Sequence, residues 1–178
     1  MRAFSSLIVA AGLVIISTTA CKKTVEPLDY SKEYASFDLV VDTTSSTGEI
    51  LIGSRDVQTD ITNELAAKGF TVNNLKSVRV NEIKIETTEA GKTLDYFRKI
   101  DVRLNNQGAG NVIFASKELG ETYTMTSVVF NDEGIELKEF FKQGEMQFSV
   151  YGINDLIIQQ PLSLRVSMSF TVNAKLGN

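Results

Sequence analysis

Residues 161–176 read PLSLRVSMSFTVNAKL, and this stretch decides the fold class. Leu162, Leu164, Val166, Met168, Phe170 and Val172 fall on one side of a two-residue period. Ser163, Arg165, Ser167, Ser169, Thr171 and Asn173 fall on the other. Six unbroken repeats predict a long strand with one face buried and one face wet, because successive side chains of an extended chain point to opposite sides. Pro161 stands at its start, where a strand tolerates a residue without an N–H. An antiparallel sheet with one solvated face is the natural home for such a strand.

The same period recurs upstream. In YFRKIDVRLNN (96–106), Ile100, Val102 and Leu104 alternate with Lys99, Asp101 and Arg103. QGAG then turns the chain into NVIFASKE, a hairpin signal. EMQFSVYGI alternates Met146, Phe148 and Val150 with Gln147, Ser149 and Tyr151. In LKSVRVNEIKIET the apolar phase slips between Val80 and Ile83, which predicts a bulge near Asn81–Glu82. YASFDLVVD, EILIG and TYTMTSVVF add further short segments rich in branched residues.

Two stretches read as helix. SRDVQTDITNELAAKGF (54–70) spaces Val57, Ile61 and Leu65 four apart, with Ser54 or Asp56 as cap and Gly69 as terminator. GIELKEFFKQG groups Leu137, Phe140 and Phe141 and ends at Gly144; these phenylalanines are expected to close the core rather than bind a ligand. Seven or eight strands, mostly antiparallel, predict an all-β sandwich, immunoglobulin-like or jelly-roll-like, with two short helices over its open ends or edges.

The chain is 178 residues long, and its composition is that of a globular protein: 43% hydrophobic and 22% charged. The net charge is −4, and loss of residues 1–20, with Arg2, would make it one unit more negative. A basic face for nucleic acid is therefore not expected. With no histidine, a Ser-His-Asp triad or histidine-ligated metal is excluded. No cofactor motif is present: GAGNVI lacks the third glycine of a dinucleotide loop and lies between strands.

The opening MRAFSSLIVAAGLVIISTTAC has a positive start at Arg2, a ten-residue apolar run from Leu7 to Ile16, and the small-residue stretch STTA. That order is a secretory signal peptide over residues 1–20, too short in its apolar part to span a bilayer. Cleavage after Ala20 makes Cys21, the only cysteine, the new N-terminus. This resembles a bacterial lipoprotein signal, in which the cysteine thiol takes a diacylglycerol and its amine an acyl chain such as palmitate. Thr18 stands where that family usually has leucine, and an ordinary signal cleavage at the same bond, leaving a free thiol, remains the alternative. An unpaired thiol is a liability in an oxidising compartment, which favours the thioether. Residues 21–33 read as a tether and 34–178 as the sandwich domain.

With the signal and Cys21, the segments ITNELAAKGFTVNNLKSVRVNEIKIE, LKEFFKQGEMQFSVYG and RVSMSFTVNA make the chain similar to a group of uncharacterised Gram-negative bacterial lipoproteins with a β-sandwich body. The resemblance implies a fold and a compartment, and it brings no catalytic residues.

The only abundant acid–base groups are carboxylates. A glycosidase needs two of them ~5–10 Å apart across a cleft, and nothing in the sequence singles out a pair among Asp38, Asp42, Glu82, Glu86, Asp95 and Asp101. NDEG (131–134) reads as a turn, since its acidic residues are consecutive where a calcium loop needs them alternate. Asp42-Thr43-Thr44 resembles a bacterial O-glycosylation site, with Thr43 as acceptor. The expectation is a non-enzymatic binding or scaffold module, held by acylated Cys21 at the outer membrane and lying on its periplasmic face, with a protein or glycan partner. Surface exposure is the open alternative for its orientation. The alternative functions are a carrier of a lipid or other hydrophobic ligand, which would need an apolar cavity between the sheets, and a carboxylate-based glycan hydrolase.

Overall fold

A computed structural model describes residues 26–120 and 124–176; the expected signal peptide, Cys21 and the two lysines after it lie outside the described residues. The described residues form eight strands: β1 (Leu28–Val41), β2 (Gly48–Gln58), β3 (Leu75–Thr87), β4 (Phe97–Asn106), β5 (Gly110–Glu118), β6 (Ser127–Phe130), β7 (Glu145–Asn154) and β8 (Leu162–Ala174). Helix α1 spans Ile61–Ala67 and α2 spans Lys138–Lys142. The strands make two antiparallel sheets, ordered β1-β8-β3-β6 and β2-β7-β4-β5.

Beneath that order lies a simple rule. β1 pairs with β8, β2 with β7, β3 with β6 and β4 with β5. The chain is thus one long hairpin, closed at the β4–β5 turn and rolled up so that successive pairs fall alternately into the two sheets. This is the jelly-roll arrangement, and it decides between the two sandwich types that the sequence allows.

β8 behaves as its alternation demands. All six apolar side chains from Leu162 to Val172 are buried, and each contributes roughly 1.5–3 kcal/mol relative to exposure. It is flanked by β1 and β3, so its polar face is half-covered by neighbouring strands. The bulge is where the phase slip predicts it: Val80 faces Phe170 and Glu82 faces Ser169, so Asn81 is the extra residue and both Val80 and Ile83 point inward.

Aromatic rings fill the space between the sheets. Phe37 of β1 meets Phe148 of β7 edge-on at 5.7 Å, and Phe148 meets Phe114 of β5 at 5.8 Å. Phe141 of α2 packs on Phe170 of β8 at 5.1 Å, so the helix phenylalanines do close the core. Among the described glycines, Gly152 is the most closely approached: a Cβ there would stand 2.5 Å from Cδ1 of Phe97.

Two expectations are corrected. The stretch 54–70 is not one helix. Ser54–Gln58 is the end of β2, paired from Ser54↔Ser149 to Gln58↔Glu145, and the helix begins only at Ile61. Neither Ser54 nor Asp56 caps it; Asp60 occupies that position with φ +50 and no side-chain hydrogen bond. A neighbouring strand offers each backbone group a partner, and that pairing outweighs weak helical spacing. Val57 is buried by strand alternation instead. At the other end the expected reading holds: Gly69 takes φ +80, and the Phe70 N–H donates to the Leu65 carbonyl at 2.9 Å.

The second correction concerns the tether. The chain is already in strand at Leu28, paired with Ala174, rather than near residue 34. Residues 28–33 look polar because β1 is an edge strand, and two of its side chains reach Glu64 of α1. The Tyr30 hydroxyl donates to Glu64 Oε2 at 3.0 Å, and the Lys32 ammonium also binds Glu64. Tyr34 donates to the Thr59 carbonyl, and the buried Thr59 hydroxyl donates to the Phe141 carbonyl at 3.1 Å. Burial, aided by the Glu64 carboxylate, pushes both tyrosine hydroxyls well above their usual range.

The start of β1, both helices and the β4–β5 turn share one end of the sandwich. The loops at 42–47, 88–96 and 155–161 share the other.

Candidate binding face

The outer face of the sheet β2-β7-β4-β5 is built by register. Because side chains alternate, residues paired across four strands line up in rows. Asp56, Gln147, Asn105 and Asn111 form one row; Ser54, Ser149, Arg103 and Ile113 form the next. Leu51, Tyr151, Asp101 and Ser116 form the third, and Glu49, Ile153, Lys99 and Glu118 the fourth.

At the centre, Arg103 lies over the Tyr151 ring with its guanidinium carbon 3.9 Å from the centroid. One guanidinium nitrogen donates to Glu49 Oε1 at 2.7 Å and stands 3.7 Å from Asp101 Oδ2. Asp101 is only 7% exposed, yet it is fully engaged: the Ser116 hydroxyl donates to it at 2.6 Å and the Lys99 ammonium lies 3.0 Å away. Burial works to raise the Asp101 carboxyl. The hydroxyl of Ser116, the Lys99 ammonium and the Arg103 guanidinium outweigh it and leave the carboxyl below its usual range. Beside this polar centre stand two exposed aliphatics, Leu51 at 52% and Ile113 at 44%. A rigid Arg–Tyr pair flanked by exposed apolar side chains has the composition of an interface centre.

The first row runs into an open cleft of about 500 Å³ beside the β4–β5 turn. Carboxamides dominate its wall: Asn105, Asn106, Gln107, Gln143 and Gln147, with the carboxylates of Asp56 and Glu145. Asn106 builds the turn itself, since its Oδ1 accepts the Gly108 N–H at 2.7 Å and its amide donates to the Glu145 carbonyl.

No family model matches the chain, and no curated protein matches it. Similar solved structures are viral capsid proteins. The VP2 subviral particle of infectious bursal disease virus shares 12% identity at a TM-score of 0.39, over 96% of this chain and 38% of that one. The Gx strain of the same virus shares 10% at 0.42, over 96% and 38%. Desmodium yellow mottle tymovirus shares 11% at 0.27, over 100% and 95%. The chain thus spans well under half the length of the bursal disease virus chains, and at these scores no property passes from them to it.

The carboxylates that the sequence offers are scattered. Asp38 binds Arg165 at 2.9 Å on the outer face of the other sheet, where Glu86 pairs with Lys84 at 2.5 Å and Glu82 is exposed beside the bulge. Asp95 accepts the Met125 N–H at 3.3 Å, and Asp42 is exposed in the β1–β2 loop. Of the six, only Asp101 lies on the outer face of the β2-β7-β4-β5 sheet. The carboxylates that share a cleft, Asp56 and Glu145, are not among those six residues. The sole signal for them was strand register, which a single segment does not carry.

Thr43 is exposed in the β1–β2 loop, while its neighbour Thr44 is engaged, its hydroxyl accepting the Ile158 N–H at 3.0 Å. NDEG forms the expected turn, with the Gly134 N–H donating to Asp132 Oδ1 at 2.8 Å.

Proposed function

We propose that this protein is a lipid-anchored envelope protein that works without catalysis, as a binding module, and that the outer face of the β2-β7-β4-β5 sheet is its binding surface. The observation that carries the reading is the Arg103–Tyr151 stack between the exposed side chains of Leu51 and Ile113. Such pairs supply large contact area at a small cost in side-chain entropy. The carrier reading has less support, because the space between the sheets that a hydrophobic ligand would need is taken by Phe37, Phe114, Phe148 and Phe170.

The anchor is acylated Cys21, and the proposed place is the periplasmic side of the outer membrane. Two or three chains are needed for stable attachment, since a single acyl chain binds only marginally. From Cys21 to Leu28 the chain reaches at most ~25 Å. The helix-bearing end of the sandwich would then sit close to the bilayer, and the 42–47 loop would stand about a strand length farther out. Thr43, exposed in that loop, is the proposed glycan acceptor.

A hydrolase is the second reading, favoured by one observation: Asp56 and Glu145 line the same cleft. Both are exposed, where a general acid calls for a desolvated carboxyl.

The test has two arms. Intact mass of the protein from its native membrane should equal the chain from Cys21 plus a diacylglycerol and an acyl chain, and Cys21→Ser should release it. Retention of the released chain on isolated envelopes should fall at least tenfold when Arg103→Ala and Tyr151→Ala are combined. Unmodified Cys21 sinks the anchor; unchanged retention sinks the binding face.

A further inference from the structure

We propose that the cleft beside the β4–β5 turn binds a neutral, hydroxyl-rich glycan chain, laid across the row Asp56, Gln147, Asn105 and Asn111. The proposal rests on the reading of this sheet face as a binding surface and names the ligand class that its carboxamide-lined end would take.

Several side chains of the cleft are left free. Asn106 is committed to the turn, and the Gln147 amide donates to Asp56 Oδ1 at 3.3 Å. The carboxamides of Asn105, Gln107 and Gln143 have no hydrogen-bond partner among the described residues, and all three line the cleft. The Gln143 amide lies over Gly108, where a Cβ would stand 3.0 Å from Gln143 Cδ.

A carboxamide is both donor and acceptor in one plane. A pair of neighbouring sugar hydroxyls has the same double character, so one amide can satisfy two hydroxyls at once. Asp56 and Glu145 add acceptors that strengthen bonds from hydroxyl donors.

The lining also argues against other ligands. No lysine or arginine lines the cleft, and its two carboxylates repel anions, so a phosphate or acidic glycan finds nothing to pair with. The sole apolar side chain in its wall is Met146, which is buried, so an apolar ligand finds little surface. The row crosses three inter-strand gaps of ~4.8 Å, about 14 Å in all, which suits an elongated chain of several rings better than a single sugar.

The test uses the full chain, labelled so that its side-chain amides are resolved by NMR. The probes are cellotetraose, maltotetraose, mannotetraose and chitotetraose, each to ~10 mM, which detects a Kd of ~1 mM or somewhat weaker. At least one probe should shift the Asn105, Gln107 and Gln143 amide signals. Its affinity should fall at least tenfold in Asn105→Ala/Gln143→Ala, whose side chains are exposed and whose spectrum should otherwise match wild type. If all four probes leave these amides unmoved, the proposal is overturned. It is likewise overturned if an uncharged extended peptide shifts them and no sugar does. Should the glycan fail while envelope retention still depends on Arg103 and Tyr151, the binding face stands without this ligand; if both fail, both readings fall.

Discussion

Arg103 and Tyr151 stack at 3.9 Å across the β4–β7 pair, although 47 residues separate them in sequence. Neither side chain is directly opposite the other. Arg103 is paired with Ser149 and reaches one row along to the ring, which stands opposite Asp101. A small residue at Ser149 makes that reach possible.

Tyr151→Ala should therefore cost stability as well as binding. A guanidinium over an aromatic ring is worth ~0.5–2 kcal/mol, depending on exposure. The expected loss is about 1–2 kcal/mol in urea unfolding, with Tyr151→Phe near wild type because the ring is kept. Equal losses in the two variants would show that the hydroxyl, not the stack, matters.

Asp101 gives a pH signature. Its folded-state carboxyl is held below the unfolded value of ~3.9. Its contribution to stability is thus fully present above the unfolded value and is lost as pH falls through the folded one. Asp101→Asn should be destabilised at pH 7 by roughly 1.5–3 kcal/mol, the range for a hydrogen bond to a charged group. The gap to wild type should narrow below pH ~4. Parallel pH curves for the two proteins would refute this account.

At Gly152 the outcome should be steric. The added methyl of Gly152→Ala meets the Phe97 ring in a packed core, and overpacking of this kind costs ~1–3 kcal/mol. Phe97→Leu in the same chain should recover part of the loss; additive losses would mean that the two sites do not touch.

Asp60 separates the expected helix from the observed one. In the middle of a continuous 54–70 helix, Asp60→Gly would destabilise, since glycine is among the poorest helix formers. With φ +50 and no cap bond, the same change relieves a left-handed conformation. We expect a neutral to stabilising effect of up to ~1 kcal/mol by thermal or urea unfolding, and a clear loss would overturn the local geometry.

Much of the fold is legible because strand burial is a local property. The β8 period, the slip at Asn81, the turn after Asn106, and the chain reversals at Gly69 and Gly144 are each written in a few adjacent residues. The misreadings share a cause. Val57, Ile61 and Leu65 are all buried, as helical spacing suggests, but β7 claims the backbone up to Gln58. Residues 28–33 look like linker until β8 and α1 supply their partners.

By itself, then, the sequence determined that the body is antiparallel sheet, which faces of its strands are buried, and that histidine chemistry is closed to it. Each follows from a residue's own type or from its immediate neighbours. Only the tertiary structure decided that the sandwich is a jelly roll, that Asp101, Arg103 and Tyr151 meet, and that three carboxamides without a partner among the described residues share one cleft. Those facts depend on which strands lie side by side and in what register, and register is set by pairing between segments far apart in the chain.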